Sequence, residues 1–231
     1  MPEQIPYIDI PVEIYDNPEP RCPCVLLVDT SGSMSGAPVN ALNDGIQQFQ
    51  TELIQDPIAQ KRVEVAVVSF GNGVDTVCDF TPVTSFLPPR FEAAGATPMG
   101  AAVVQAISLL EERKRIYRSA GLAYFRPWIF LITDGEPTDM HTHYWRQAVQ
   151  LVHEGESSKK LLFFGVGVQN ANFSTLNELC PPNRQALKLR GLSFGELFKW
   201  LSASLRQVSS ANPGATQLNL PPPSSWASID V

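Results

Sequence analysis

The stretch Cys24–Met34, CVLLVDTSGSM, runs a series of apolar residues into an aspartate and then into a Ser-Gly-Ser loop. A strand that is nearly continuous in Val and Leu is typical of a parallel sheet with helices on both faces. The polar residues after it would lie at the carboxyl end of that strand, where open α/β sheets bind their ligands. This one segment therefore predicts both a fold class and the position of a functional site.

Strand and helix patterns alternate along most of the chain. The alternation predicts an α/β, doubly wound fold with a mostly parallel central sheet of about six strands. Segment 62–80 is interpreted as a hairpin centred on Asn72-Gly73, a pair suited to positive φ angles, so one antiparallel edge strand is expected. A closing helix over 193–208 is predicted to begin at a capping box formed by Ser193 and Glu196.

The chain length of 231 residues favours one domain with extensions. We expect an N-terminal extension over 1–23, in which alternating apolar residues predict an edge strand. The domain itself is expected over 24–208. A Pro- and Ser-rich C-terminal tail is expected over 209–231, and the sequence leaves open whether Trp226 docks on the domain or on another protein.

Composition excludes several classes of protein. The net charge is −6, so a surface that neutralises nucleic acid is not expected. The N-terminal stretch carries acids and prolines where a secretory signal would carry basic and then apolar residues. The apolar runs are far shorter than the roughly 20 residues needed to span a bilayer. We therefore expect a cytoplasmic protein that has no membrane span.

Two further features are given ordinary structural interpretations. The four cysteines are expected to be reduced thiols, with zinc binding as a minor alternative. The run EERKRIYR, 111–118, is interpreted as a solvated helix end, where cations complement the helix dipole.

Polar residues follow two predicted strands and open one predicted helix. Asp29, Ser31 and Ser33 follow the first strand, Asp134 follows the fourth, and Thr97 lies in a G-A-T-P loop before the second long helix. This set of hard oxygen donors suits Mg²⁺, with Mn²⁺ or Ca²⁺ as alternatives. Hydroxyls are weak neutral ligands, so such a site leaves the ion able to accept a carboxylate from elsewhere.

These motifs identify a resemblance to a known family. D-x-S-x-S at 29–33, Thr97 in its loop and Asp134 in T-D-G resemble the metal-ion-dependent adhesion site of von Willebrand factor type A domains. The resemblance covers about 24–208 and is greatest to the bacterial cytosolic branch associated with tellurite resistance and stress operons. It implies a metal-dependent adaptor whose ion accepts an Asp or Glu from a partner protein, such as a kinase or phosphatase encoded nearby.

Two alternatives stay open beside this adaptor. Asp29 could act as the nucleophile or general base of an Mg²⁺-dependent phosphohydrolase. That chemistry requires a second acid two residues later, where this sequence has Ser31, so we do not expect an enzyme. The ion could instead be purely structural. His141 and His143 are interpreted as ordinary loop or helix-start residues, and three residues are secondary candidates for the rim of the site: Glu136, Thr138 and Asp139.

Overall fold

A computed structural model describes residue 14, residues 16–213 and residues 220–228. Its strands are β1 Cys22–Asp29, β2 Val63–Phe70, β3 Val74–Pro82, β4 Trp128–Thr133, β5 Leu162–Gly167, β6 Leu187–Leu189 and β7 Ala227–Ser228. Its α-helices are α1 Ala37–Ile54, α2 Pro57–Arg62, α3 Met99–Ser119, α4 His143–Ser157, α5 Phe173–Leu179 and α6 Phe194–Ser210. Most of the predicted N-terminal edge strand lies outside the described residues.

The strands form one sheet in the order β3-β2-β1-β4-β5-β6-β7. β1 pairs in parallel with both β2 and β4, while β3 pairs antiparallel with β2. The predicted doubly wound α/β fold with an antiparallel edge strand is confirmed. Because the chain leaves β1 toward β2 and later returns to its other side as β4, the loops after β1 and β4 meet where the winding reverses.

The apolar core lies in two layers, one on each face of the sheet. All eight residues of β1 are buried. Leu26 and Val28 belong to the layer beneath α1 and α6, whereas Val25 and Leu27 belong to the layer beneath α3 and α4. Burying each such side chain is worth about 1.5–3 kcal/mol, which explains why β1 lacks a polar face.

Two local details of the prediction are wrong. The hairpin is present, but neither Asn72 nor Gly73 is among the described residues with positive φ. A three-residue turn joins β2 to β3, and Gly71 donates its backbone N–H to the Gly73 carbonyl. Helix α6 begins as expected, yet the Ser193 side chain makes no capping hydrogen bond. Its backbone instead accepts a hydrogen bond from the Leu197 amide.

The basic run at the end of α3 is not a fully solvated helix end. Arg113, Lys114 and Tyr117 are buried. Both Arg113 and Tyr117 point toward Glu64 at the start of β2, and the guanidinium lies 2.7 Å from the Glu64 carboxylate. The solvated interpretation is therefore corrected for these residues, because helical spacing puts one side of the run against the sheet.

Part of the C-terminal segment packs on the domain. Trp226 is fully buried, and its ring lies 5.4 Å from that of Trp200 on α6. The Trp200 indole N–H donates to the Pro221 carbonyl at 2.6 Å. β7 then pairs antiparallel with β6 and adds a seventh strand to the roughly six predicted. Of the two docking modes that the sequence left open for Trp226, the structure has the one on the domain.

No helix among the described residues is both long and apolar enough to cross a membrane. The cysteines pack within the domain, and all are free thiols. Cys22 and Cys24 belong to the core, and burial raises the pKa of the Cys22 thiol to about 12. The described residues contain no group of three or more His, Cys, Asp or Glu suited to a metal, so the zinc alternative has no support there.

Candidate functional site

The candidate site lies at the carboxyl ends of β1 and β4. Val28 pairs with Ile132, which sets the last residue of β1, Asp29, beside the last residue of β4, Thr133. Asp134 begins the loop that follows β4. Parallel pairing therefore brings together two acids that are more than a hundred residues apart in sequence.

A continuous chain of hydrogen bonds links four of the five predicted site residues. The Asp29 Oδ1 atom accepts from the Ser31 backbone N–H at 2.8 Å. The Ser31 and Ser33 hydroxyls share a hydrogen bond of 3.0 Å. Ser33 Oγ then donates to Asp134 Oδ1 at 2.7 Å. These side chains therefore surround a single small region.

Thr97, the fifth residue, lies beside this chain of hydrogen bonds, next to Gly135. A Cβ atom built on Gly135 would lie 3.2 Å from Thr97 Oγ1 and 3.6 Å from Asp29 Oδ2. The hydroxyl and the carboxylate thus lie on the same side of the Gly135 backbone. The structure brings all five predicted residues to one edge of the sheet, and a side chain at position 135 would crowd them.

The loop after β4 holds the segment that carries Thr97. The Thr138 N–H donates to the Thr97 carbonyl at 2.9 Å, and the Thr97 N–H donates to Thr138 Oγ1 at 3.3 Å. The Asp139 carboxylate accepts from the N–H groups of Gly100 and Ala101 at the start of α3. Of the secondary candidates, Thr138 therefore contacts Thr97, and Asp139 contacts the start of the helix that follows it. Glu136 instead accepts a hydrogen bond from the Asn172 side chain.

Backbone contacts join the remaining loops into one platform. The Gly32 N–H donates to the Gly95 carbonyl at 3.1 Å, and the Ala94 N–H donates to the Thr30 carbonyl at 2.8 Å. Gly95 has φ of +87°, and a Cβ there would lie 2.5 Å from the Asn72 backbone nitrogen. Only glycine fits this position, so the loop after β1, the hairpin turn and the loop before α3 support one another.

One contributor to the site was missed by sequence reasoning. Thr133 is fully buried, and its hydroxyl donates to Asp29 Oδ2 at 2.5 Å. Together with the Ser31 amide, it leaves each oxygen of the Asp29 carboxylate with a fixed hydrogen-bond donor. The available signal was a hydroxyl residue closing an otherwise apolar strand directly before Asp134. His141 lies further along the same loop and His143 is the first residue of α4; both are exposed.

The electrostatics of the site favour a cation. Burial raises the pKa of Asp29, hydrogen bonds from Ser31 and Thr133 lower it, and the nearby Asp134 raises it, with a net upward shift. Among the described residues, neither Asp29 nor Asp134 forms a salt bridge. The donors are carboxylate and hydroxyl oxygens only, so the residues present fit Mg²⁺, Mn²⁺ or Ca²⁺ and do not fit a soft metal.

The comparison with protein families gives a match over most of the chain. The model of the von Willebrand factor type A domain matches residues 24–197. This range begins within β1 and ends in the first turn of α6, so it includes every segment that contributes to the site. No curated protein matches the sequence.

Several solved structures are similar to this chain. The pilus adhesin SpaC from Lactobacillus rhamnosus GG, in its open conformation, has a TM-score of 0.63 at 15% identity over 83% of this chain and 31% of that chain. Proximal thread matrix protein 1 from the mussel byssus has a TM-score of 0.54 at 15% identity over 82% and 49% of the two chains. A mutant of the PilB minor pilin from Streptococcus sanguinis has a TM-score of 0.54 at 12% identity over 81% and 62%.

These likenesses are to the fold. In each case the sequence identity is 15% or lower, and this chain spans less than two thirds of the length of the other chain. The fold they share is the one described above.

Proposed function

The chain belongs to the von Willebrand factor type A domain family, and we propose that it is a divalent-cation-dependent module for binding another protein. Domains of this family commonly mediate protein–protein interaction and are mostly interaction modules rather than enzymes. The finer proposal is that an ion held at the carboxyl ends of β1 and β4 accepts an Asp or Glu from the partner.

One observation carries this proposal: five oxygen-bearing side chains converge, and neither of the two carboxylates forms an ion pair with any described residue. The residues that would hold the ion are Asp29, Ser31, Ser33, Thr97 and Asp134. Two carboxylates would balance the charge of Mg²⁺, and the neutral hydroxyls would leave it electrophilic. When bound, the ion would supply a Lewis-acid position for a carboxylate from outside the chain.

The residues of this chain orient such a partner rather than react with it. Ser33 is exposed and Asp134 is half-buried, whereas Asp29 is fully buried. Ser31 and Thr97 are buried as well. A partner approaching from solvent would therefore meet Ser33 and Asp134 first. The loops of the site are joined by backbone hydrogen bonds, so these oxygens are in place before the partner binds. Less conformational entropy is therefore lost on association.

The cellular setting is also part of the proposal. The sequence resemblance to the bacterial tellurite-resistance and stress branch supports a cytosolic adaptor, with a protein kinase or phosphatase encoded nearby as partner. The solved structures that share the fold include a pilus adhesin and a byssal matrix protein, and their likeness carries no information on location.

The geometry of Asp29 favours this proposal over a phosphohydrolase. Both of its carboxylate oxygens accept hydrogen bonds from within the chain, and its side chain is inaccessible to solvent. A nucleophile must reach the reacting atom in line with the leaving group. We expect no turnover in a panel of phosphoesters and nucleotides with Mg²⁺, and turnover that Asp29→Asn abolishes would contradict the adaptor.

Affinity capture tests the adaptor directly. The full chain is used as bait with Mg²⁺ or with a chelator, and the captured proteins are compared with those of Thr97→Ala. The matched control is Thr51→Ala, which removes the same hydroxyl from an exposed position on α1. We expect both the chelator and Thr97→Ala to weaken Mg²⁺-dependent binding of the partner at least about tenfold. This change corresponds to a loss of about 1.4 kcal/mol in the free energy of binding.

The same experiment separates the adaptor from a structural ion. A structural ion would raise the melting temperature and leave the captured proteins unchanged by chelator. Identical capture by wild type, Thr97→Ala and the chelated sample would therefore rule out the proposed function.

A further inference from the structure

Helix α3 begins beside the candidate site without a cap of its own. It spans Met99–Ser119, and the side chain of the N-cap residue, Pro98, makes no capping hydrogen bond. Its first turn contains no acidic residue. The first N–H groups of a helix lack intrahelical partners, and aligned peptide dipoles add about half a positive charge at that end. This helix end therefore needs a negative group from elsewhere.

Asp139 supplies that group from a distant part of the chain. Its Oδ1 atom accepts from the Gly100 N–H at 3.1 Å, and its Oδ2 atom accepts from the Ala101 N–H at 2.9 Å. Asp139 is 8% exposed, and its own carbonyl accepts from both the N–H and the hydroxyl of Thr142. The carboxylate is thus held firmly against the helix end.

The same helix end lies next to the proposed cation. Thr97 is two residues before α3, and its carbonyl accepts from the Met99 N–H at 2.7 Å. Its hydroxyl lies on the same side of Gly135 as the Asp29 carboxylate. A cation held there would be repelled by the positive end of the helix unless a nearby negative charge offset it.

We propose that Asp139 is a positioning residue whose charge raises the cation affinity of the site by neutralising the start of α3. This inference rests on the proposed function, because it concerns the same ion. Asp139 acts through α3 and Thr97 and is not itself a ligand. Its charge, and not only its two hydrogen bonds, contributes to binding.

A calorimetric titration of the full chain with Mg²⁺ alone tests whether the charge of Asp139 contributes to Mg²⁺ affinity. Asp139→Asn keeps the shape of the side chain, removes its charge and replaces one of its two acceptor oxygens by an NH2 group. We expect it to weaken Mg²⁺ binding about three- to tenfold, the size of a helix-end charge interaction in a partly buried setting. The matched control is Asp44→Asn, an exposed aspartate on α1, which should leave the affinity unchanged.

A rescue variant separates charge from structure. Ala101 occupies the third position of α3, where an acidic side chain also complements the helix end. Adding Ala101→Glu to Asp139→Asn should recover most of the lost affinity, and raised ionic strength should shrink the difference between the variants. A merely structural role for Asp139 would lower the melting temperature without this recovery or this salt dependence.

The outcomes are distinct. Equal Mg²⁺ affinity in wild type and Asp139→Asn, or a loss that Ala101→Glu does not reverse, would overturn this inference and leave the proposed function in place. Wild-type protein that binds no Mg²⁺ would overturn both. If Asp139→Asn fails to fold, Ala101→Glu alone decides, because the added charge should tighten Mg²⁺ binding and an unchanged affinity would refute the inference.

Discussion

The two ends of the central strands bury carboxylates in opposite ways. At the amino end of β2, Glu64 accepts from Arg21 Nε at 2.9 Å, from Arg113 Nε at 2.8 Å and from the Tyr117 hydroxyl at 2.5 Å. At the carboxyl end of β1, Asp29 accepts from the Ser31 amide and the Thr133 hydroxyl, with Asp134 nearby and no salt bridge to any described residue. One end has its counter-charges built in, and the other does not.

We call the surroundings of Glu64, at the amino end of β2, the closed end of the sheet, and the surroundings of Asp29, at the carboxyl end of β1, the open end. The two ends differ in how the charge of the buried carboxylate is compensated. A buried charge is costly unless it is paired and hydrogen-bonded. At the closed end, burial would lower the pKa of Arg113, but the interaction with Glu64 raises it overall. Burial and then Glu64 hold the pKa of Tyr117 well above its usual value. At the open end, burial raises the pKa of Asp29 and the nearby Asp134 raises it further, although hydrogen bonds from Ser31 and Thr133 lower it. An external cation would stabilise the charged form of this carboxylate.

The largest effect on stability is expected from removing the shared carboxylate of the closed end. Glu64→Ala leaves two arginines buried without their partner, so we expect the free energy of unfolding to fall by about 3–5 kcal/mol. Denaturant unfolding measures this loss. Glu112→Ala, which removes the exposed partner of the exposed Arg115, is the control and should cost little. A loss from Glu64→Ala as small as that of the control would contradict the contrast.

The open end should respond to metal, whereas the closed end should not. Mg²⁺ at a hundred times its dissociation constant should stabilise the wild-type protein by about 2.7 kcal/mol. Asp134→Asn should abolish this gain, because it removes one of the two charges that would balance the ion. Thermal unfolding with and without Mg²⁺ measures both. An equal Mg²⁺-dependent gain in the variant would show that the ion binds elsewhere.

A smaller loss of stability is expected at the closed end when a single hydrogen bond to Glu64 is removed. Tyr117→Phe removes one donor to Glu64 and leaves both arginines in place. We expect a loss of about 1.5–3 kcal/mol in the free energy of unfolding, as for a hydrogen bond to a charged group. Tyr144→Phe, at an exposed tyrosine on α4, is the matched control and should be neutral. If the two variants are equally stable, the Tyr117 hydroxyl contributes nothing to this cluster.

The smallest change in stability is expected from the exposed hydroxyl of the open end. Ser33→Ala should alter the free energy of unfolding without metal by less than about 0.5 kcal/mol, since Ser33 lies at the surface. The same variant should weaken Mg²⁺ binding measured by calorimetry. Full Mg²⁺ affinity in Ser33→Ala would remove this hydroxyl from the proposed ligand set.

Much of the open end could be predicted because its signals are local. Asp29, Ser31 and Ser33 directly follow a continuous apolar strand, and parallel strands carry their carboxyl ends to one edge of a sheet. The partners of Glu64 could not be predicted in the same way. Arg113 and Tyr117 lie in a run whose charges resemble a solvated helix end, and only the packing of α3 on β2 shows which members face inward.

Local patterns in the sequence were enough to predict the fold class, the doubly wound sheet and five candidate residues, because hydrophobic periodicity and residues at strand ends depend on near neighbours in the chain. The distant groups that support those residues became visible in the folded structure alone. It showed Thr133 beneath Asp29, Asp139 at the start of α3 and Trp226 against Trp200. Contacts of this kind join segments far apart in sequence, and no local pattern records where a chain will meet itself.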